Sequence, residues 1–379
     1  MCERSQPPAT PTWPTSRGSD LVMTTPTTTT SPAVAPLPDF FLLTGFLGSG
    51  KTTLVMQLLS DPRYARTGVI VNDVGQLNID GALIESTDQD LQVVRLTNGC
   101  VCCSLMSNLP STIAALFDEN DRRGLPPFER VVFETSGLSR PVPVIKSLMG
   151  LPIPFRITVI TTYDARHGAL ASDRYPEAVA QLAAAATIVV TKLDLVDSVA
   201  LAGAQQRLAA LNPLARVLVE SDATKRARLA FDSSAAMSLD ALKALTEPVE
   251  PTSFESDFAH DAARVLLATL RDDLPVDELM EWLEDLAGFC GERLLRCKGL
   301  VSLSGSSERL LVQSVGTAFD RPRRVSGSPA TASAVVVIVH SLTHADMVNV
   351  PGSAVARWSE LHRDAKILKL NFNRDKAAA

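Results

Sequence analysis

The sequence predicts an α/β protein, in which a domain built on a mostly parallel sheet is followed by a smaller α+β domain. From residue 39 onwards, short apolar runs alternate with helix-like stretches, which is typical of a parallel sheet covered by helices on both faces. Near residue 245 this alternation stops, and residues 247–253, Glu-Pro-Val-Glu-Pro-Thr-Ser, are typical of a linker. The expected organisation is a tail at 1–38, a first domain at 39–245, a linker at 246–260 and a second domain at 261–379.

The individual elements are predicted from apolar patterns. The expected strands of the first domain lie at Phe40–Leu43, Val69–Val71, Val93–Leu96, Arg130–Phe133, Arg156–Ile160, Thr187–Val190 and Arg216–Val219. Helices are expected at Thr52–Ser60 and from Ser104 to about Phe117. The second domain is expected to contain a helix at Asp277–Leu286, strands at Gly299–Leu303, Leu310–Ser314 and Val335–Val339, and a long loop at 321–334.

The composition excludes several classes of protein. The formal net charge of −6 argues against a protein that holds nucleic acid by bulk charge. No apolar stretch approaches the roughly 18 residues of a membrane span, and residues 1–38 lack the apolar core of a secretory signal. The tail is rich in Pro and Thr and is expected to be disordered, and Met23 within it is an alternative start to Met1.

Residues 45–52, Gly-Phe-Leu-Gly-Ser-Gly-Lys-Thr, form a complete phosphate-binding loop, or P-loop, between a predicted strand and a predicted helix. Glycines let backbone N–H groups face a phosphate, Lys51 can reach the β- and γ-phosphates, and the Thr52 hydroxyl can hold Mg²⁺. The alternative is a chance glycine-rich turn. The residues expected to contact the nucleotide here are Gly45, Gly48, Ser49, Gly50, Lys51, Thr52 and Thr53.

Two further motifs follow strands of the first domain. Glu134 ends the apolar run 131–133 and is expected to orient Mg²⁺ through water or to position the attacking water, which makes Lys51, Thr52 and Glu134 the predicted catalytic set. The alternative for Glu134 is an acid that only caps the next helix. Thr191-Lys192-Leu193-Asp194 follows another strand, and a buried Asp194 carboxylate would accept two hydrogen bonds from guanine but not from adenine. The alternative is a solvated Lys-Asp turn.

Three of the six cysteines, Cys100, Cys102 and Cys103, cluster just before the helix predicted to start at Ser104. The positive end of a helix favours thiolates, and thiolates bind Zn²⁺ and similar ions, so this cluster is the predicted transition-metal site. A redox pair or plain buried thiols are the alternatives. The clustering suits a reducing cytoplasm. For Cys290 and Cys297, packing in the core is expected.

The P-loop, the Cys-Val-Cys-Cys cluster, Glu134-Thr-Ser-Gly and Thr191-Lys-Leu-Asp occur in this order. Together they resemble CobW-type metallochaperone GTPases, a large subgroup of the G3E GTPases in the SIMIBI class. The resemblance covers residues 39–245 closely and residues 260–350 more loosely. It implies a GTPase that uses GTP and Mg²⁺, binds Zn²⁺ or another transition metal, and passes the metal to a client metalloprotein. In that family, nucleotide state and metal occupancy are coupled through switch segments next to the cysteines.

The chain departs from this pattern at two places. Val71 and Gln76 stand in the first switch where relatives often carry Glu, so an auxiliary metal site is not expected there. The region 254–260 carries a single His, where many relatives have a histidine-rich loop, so metal storage is not expected. The predicted function is therefore a cytoplasmic GTP-hydrolysing metallochaperone without a nucleic-acid or membrane partner, with homodimerisation left open. The alternatives are a P-loop kinase that acts on a small molecule and a nucleotide-gated regulatory protein without metal transfer.

Overall fold

A parallel sheet is the framework of the first domain. Its strands are β1 (Asp39–Gly45), β2 (Thr67–Val71), β3 (Gln92–Arg95), β4 (Arg130–Glu134), β5 (Arg156–Asp164), β6 (Thr187–Thr191) and β7 (Arg216–Val219). They lie in the order β3-β2-β4-β1-β5-β6-β7, and every neighbouring pair is parallel. The carboxyl ends of β1, β4, β5 and β6 therefore meet at one edge, where ligands of such sheets bind.

The computed structural model describes residues 38–71, 92–95, 104–151, 155–232, 242, 245, 263–272, 274–304, 308–325, 332–352 and 354–361. All of these residues belong to one compact unit of the chain, Leu37–Ala379. The predicted tail and the predicted linker at 246–260 lie outside the described residues, and the domain boundaries stay a prediction.

Helices cover both faces of the parallel sheet. They are α1 (Lys51–Leu59), α2 (Ser104–Arg122), α3 (Pro141–Met149), α4 (Gly168–Arg174), α5 (Pro176–Ala184), α6 (Ser198–Leu211) and α7 (Ala223–Ala230). On one face, Phe41 of β1 packs with Leu54 and Leu58 of α1. On the other face, Phe40 packs with Ile113 of α2. Because β1 is buried on both sides, its apolar run is continuous rather than alternating, and this made it predictable.

An antiparallel sheet forms the second domain. Its strands are β8 (Ala263–Leu270), β9 (Leu294–Ser302), β10 (Arg309–Val315), β11 (Ala318–Phe319), β12 (Arg323–Val325), β13 (Ala334–His340) and β14 (Ala356–Glu360), accompanied by α8 (Val276–Cys290) and α9 (His344–Met347). The order is β11-β10-β9-β13-β8-β14, with β12 paired to β10. The predicted fold class, a P-loop-type α/β domain followed by an α+β domain, is confirmed.

The predicted loop at 321–334 is wrong in part, because β12 pairs with Arg309–Leu311 of β10. Three further strands of this sheet, β8, β11 and β14, were not predicted. In β8, apolar residues do not alternate with polar ones because both faces of the strand are covered, with Leu266 in the cluster around Trp282 and Val265 in the cluster against the first domain. The end strand β14 is assigned by its ladder with β8, which depends on residues some 90 positions apart in the sequence.

The two faces of the antiparallel sheet have different partners. One face packs on α8 around Trp282, which is 1% exposed. The other face packs against the first domain, where Leu295 and Leu300 of β9 join Leu182 of α5 and Leu208 of α6 in one cluster. Within the described part of the chain, none of the helices is long and apolar enough to cross a membrane.

Candidate nucleotide site

The P-loop connects the end of β1 to the start of α1. At Gly45 the φ angle is 141°, and a Cβ atom would lie 2.7 Å from the carbonyl oxygen of Thr162 on β5, so only glycine fits. Gly48 and Gly50 also have positive φ angles, 69° and 91°. The loop is thus shaped by its glycines before any ligand binds, and α1 begins directly at Lys51.

The Lys51 side chain folds back over the P-loop. It is 7% exposed, and its Nζ donates to the carbonyl oxygens of Gly45, at 3.0 Å, and Phe46, at 3.3 Å. The loop is held from below by a hydrogen bond of 2.7 Å between the hydroxyls of Ser49 and Thr162. A cation inside a loop that precedes a helix N-terminus is the arrangement that binds phosphate oxygens.

Glu134 lies at the end of β4, the strand next to β1. Thr52 Oγ1 donates to Glu134 Oε1 at 2.5 Å, and the Glu134 side chain is 1% exposed. A hydroxyl and a buried carboxylate in direct contact are the hard oxygen donors that Mg²⁺ prefers, so these two residues fit a site for this ion. The sequence predicted both residues separately, and the structure brings them together.

The end of β6 is tied to the same loop. The Thr191 hydroxyl lies 2.8 Å from the carbonyl oxygen of Ser49 and 3.1 Å from that of Tyr163. Lys192 has a left-handed backbone with φ of 56°, and Asp194 follows in an exposed turn, Leu193–Leu195. The carboxylate of Asp194 was expected to be buried and is exposed here. Thr191 connects the P-loop to the segment that is predicted to bind the guanine base.

Thr53, which was also expected to contact the nucleotide, is exposed on α1.

Asp164, at the end of β5, is a site residue that the sequence reading missed. Lys192 Nζ donates to Asp164 Oδ2 at 2.7 Å, and Asp164 Oδ1 accepts from the backbone N–H groups of Arg166 and His167. Burial acts to raise the pKa of Asp164, but the hydrogen bonds from Lys192 and the two backbone donors outweigh it, and the pKa is lowered. The carboxylate stays charged and fixes the Lys192 side chain. The sequence did contain one indication of this residue, because Asp164 is an acidic residue at the end of a strand, as Glu134 is.

The predicted metal ligands Cys100, Cys102 and Cys103 lie outside the described residues, as does the first-switch segment 72–78. Among the residues that the structure does describe, no group of three or more His, Cys, Asp or Glu side chains is placed to hold a metal ion.

Cys290 and Cys297 are buried free thiols, and the predicted packing role is confirmed for both. Burial raises the pKa of Cys290 to about 11 and that of Cys297 to about 12, so neither forms a thiolate readily.

Replacing Asp194 by Ala is expected to lower GTP affinity about 100-fold and leave ATP affinity unchanged. The reason is that only guanine has the two N–H groups from which the carboxylate would accept hydrogen bonds. Titration of labelled nucleotides gives both affinities. Asp197→Ala is the control, because that carboxylate caps α6 through the backbone N–H of Ala200 and should not affect the choice of base. An unchanged GTP-to-ATP ratio in Asp194→Ala would remove this residue from the site.

Comparisons with known proteins cover both domains. Residues 39–219 match the family CobW/HypB/UreG, nucleotide-binding domain, and residues 265–349 match the Cobalamin synthesis protein cobW C-terminal domain. "Zinc chaperone YjiA" of Escherichia coli (strain K12) is 31% identical over 295 residues, 74% of this chain and 88% of that protein. "Zinc chaperone CobW" of Pseudomonas aeruginosa is 30% identical over 353 residues, 83% of this chain and 91% of that protein.

A solved structure is similar over the same range. The crystal structure of a Zn(II)-bound triple mutant of the YjiA GTPase has a TM-score of 0.63 and 25% identity, and the match covers 83% of this chain and 99% of that chain. The two family matches also follow the two sheets, since the first spans β1 to β7 and the second runs from β8 to just beyond α9. This chain therefore belongs to the CobW family, with a CobW/HypB/UreG nucleotide-binding domain followed by a CobW C-terminal domain.

Proposed function

We propose that this protein is a GTP-hydrolysing metallochaperone that binds Zn²⁺ at Cys100, Cys102 and Cys103 and delivers it to a client metalloprotein in the cytoplasm. The observation that carries this proposal is the register of three adjacent strand ends. Val71 at the end of β2 pairs with Glu134 on one side and with Arg95, at the end of β3, on the other. The nucleotide machinery and the two segments that leave these strands therefore start from one edge of the sheet.

The same register links the nucleotide to the cysteines. The first-switch segment follows Val71 directly, and the cysteine cluster lies between Arg95 and the start of α2 at Ser104. A segment ordered by the γ-phosphate and released after hydrolysis is a common GTPase switch. We infer that this ordering changes how the three thiolates are presented to Zn²⁺, so that nucleotide state sets metal affinity. The names of the relatives, zinc chaperones, support zinc as the cargo.

The P-loop and the residues around it would have distinct roles in hydrolysis. Lys51 would balance the charge of the β- and γ-phosphates, and Asp194 and Lys192 would hold the guanine base. Thr52 and Glu134 would hold Mg²⁺, which neutralises developing charge on the phosphates. Arg140, the first cation after Glu134 along the chain, is engaged with Glu177 at 3.2 Å on the surface, and we expect slow turnover by the protein alone.

The test is the affinity for Zn²⁺ measured by competition with a chelating dye in two states, with GDP and with a non-hydrolysable GTP analogue. The proposal predicts affinities that differ about tenfold or more, which is the scale of coupling between linked sites. Equal affinities in the two states would overturn the coupling. Capture of a metalloprotein client in one nucleotide state only would support delivery.

Turnover assays separate this function from the two rivals. A P-loop kinase would use ATP and give a phosphorylated small molecule rather than free phosphate. A nucleotide-gated regulator without metal transfer would bind GTP with the same Zn²⁺ affinity in both states. The proposed metallochaperone releases phosphate from GTP at a rate that depends on Zn²⁺.

A further inference from the structure

The segment that joins β4 to α3, residues 135–140, is here called the Glu134 loop, and it touches the P-loop directly. A Cβ atom built at Gly137 would lie 2.7 Å from the backbone nitrogen of Leu47 and 2.8 Å from its Cα. No side chain larger than hydrogen fits between the two backbones at this point. The backbones of the P-loop and the Glu134 loop are therefore in direct contact at this point.

Gln181 of α5 holds this loop in place. Its side chain is fully buried, and Nε2 donates to the carbonyl oxygens of Gly137, at 3.0 Å, and Ser139, at 2.9 Å. Both hydrogens of one amide group thus bind one loop. The other amide atom, Oε1, accepts no hydrogen bond from the described part of the protein, and Gln181 lines a cavity of about 40 Å³ beside the P-loop. The glutamine is therefore positioned for the loop rather than for the packing of α5.

The last turn of α5, which also contains Gln181, is hydrogen-bonded to the second domain. Arg296 of β9 is 7% exposed, and its guanidinium donates to the carbonyl oxygen of Ala184, the last residue of α5. From the first domain, Asn212 Nδ2 donates to the carbonyl oxygens of Leu182, Ala183 and Ala185 at the same end of the helix. Ala184 lies three residues after Gln181, so the contact with Arg296 and the contacts of Gln181 belong to the same turn of the helix.

A second contact joins the antiparallel sheet to the far end of the Glu134 loop. The turn between β10 and β11 approaches α3 so closely that a Cβ atom at Gly316 would lie 2.5 Å from a methyl carbon of Val142. Val142 is in the first turn of α3, directly after the loop. The Glu134 loop is thus held by Gln181 of α5, whose last turn contacts β9, and it leads into α3, which contacts the turn between β10 and β11.

We propose that the second domain and the nucleotide site are coupled through α5, with Gln181 as the positioning residue on the loop and Arg296 as its anchor on the antiparallel sheet. This inference rests on the proposed GTPase activity and extends it to regulation. A partner that shifts β9 then changes the rate of GTP hydrolysis, and nucleotide exchange changes the conformation of β9 in return, as linkage requires.

The first test is the kinetics of GTP hydrolysis by the full chain carrying Gln181→Leu, Arg296→Met or both. Each single change is expected to lower kcat about fivefold with KM within about twofold. The double variant is expected to match the single variants, because both residues belong to one chain of contacts, from Arg296 through α5 and Gln181 to the Glu134 loop, here called the relay. Gln206→Leu on α6 and Arg357→Met on β14, both exposed, are the matched controls. A wild-type rate in Arg296→Met, or single effects that multiply in the double variant, would overturn the relay.

The second test needs no substitution and holds even where a variant unfolds. Hydrogen exchange is measured on the unaltered chain with GDP and with a non-hydrolysable GTP analogue. The relay predicts changed protection both at Ser139, whose N–H donates to Ser136, and at Gly316, whose N–H donates to Leu295. A change confined to the Glu134 loop would overturn the coupling. A wild-type chain that binds GTP but does not hydrolyse it would instead count against the proposed function.

Discussion

Glu134→Gln is expected to lower kcat for GTP about 100-fold while the affinity for GTP changes by less than about threefold, since the amide would no longer hold the Mg²⁺ that neutralises charge developing on the phosphates, and the P-loop contacts remain. The amide keeps the size of the carboxylate and still accepts from Thr52. It removes the negative charge that would hold Mg²⁺, so the concentration of Mg²⁺ needed for half-maximal turnover should rise as well. Phosphate release at varied GTP and Mg²⁺ gives both quantities.

The chain offers a matched control just before the same strand. Glu129 precedes β4, is 45% exposed in its side chain and pairs with Arg66 at 2.8 Å, so Glu129→Gln makes the same chemical change far from the P-loop. This variant should hydrolyse GTP at the wild-type rate. Wild-type turnover by Glu134→Gln would show that the contact between Thr52 and Glu134 has no part in hydrolysis, and the catalytic set would then have to be sought elsewhere.

The parts of the site that could be predicted are those encoded within a few consecutive residues. Residues 45–52 contain the loop, the cation and the start of α1, and the glycines have the conformations that the motif requires. Glu134 could be predicted because an acid directly after an apolar strand lies at the sheet edge whatever the strand order is. The strand order could not be predicted in this way, and neither could the contact of Glu134 with Thr52, 82 positions away in the sequence.

Gln181 and Asp164 show why other site residues were missed. Gln181 binds Gly137, from which it is separated by 44 positions, and Asp164 binds Lys192, 28 positions away. Neither is part of a sequence motif, and the importance of each depends on which helix or strand end lies beside it. A weak signal was present at Gln181, since it is a single amide in the Ala-rich helix Pro176–Ala184, where a buried polar side chain requires partners.

The second domain was predicted less well because its strands are specified by pairing. Strand β12 is only three residues long and two of these residues are exposed, so its own sequence carries little pattern. The pairing of Arg323 with Leu311 defines it as a strand. The charged residues that face the first domain, such as Arg296, are also unpredictable from local pattern, because a buried cation becomes acceptable only once a carbonyl such as that of Ala184 is brought to it.

The largest effect on metal binding is expected from Cys102→Ser, which should weaken the affinity for Zn²⁺ on the order of 100-fold or more, since a hydroxyl replaces a thiolate ligand. Competition with a chelating dye measures the affinity, and GTP turnover without Zn²⁺ should stay within about twofold of wild type. Cys2→Ser, in the predicted tail, is the control with the same chemistry. Unchanged affinity in Cys102→Ser would exclude this thiol from the metal site and remove the chaperone half of the proposed function.

The number of thiolates that bind Zn²⁺ follows from the pH dependence of the affinity for this ion. Each cysteine ligand must lose its proton to bind, so below the thiol pKa the logarithm of the affinity rises with pH by about one unit for every thiolate that binds. Three ligands would give a slope near three, and Cys102→Ser would give a slope near two. Cys103→Ser should behave in the same way. A slope that is unaffected by either change would mean that Zn²⁺ is held by other groups, whereas a slope that falls by one in each variant would assign both thiolates to the site.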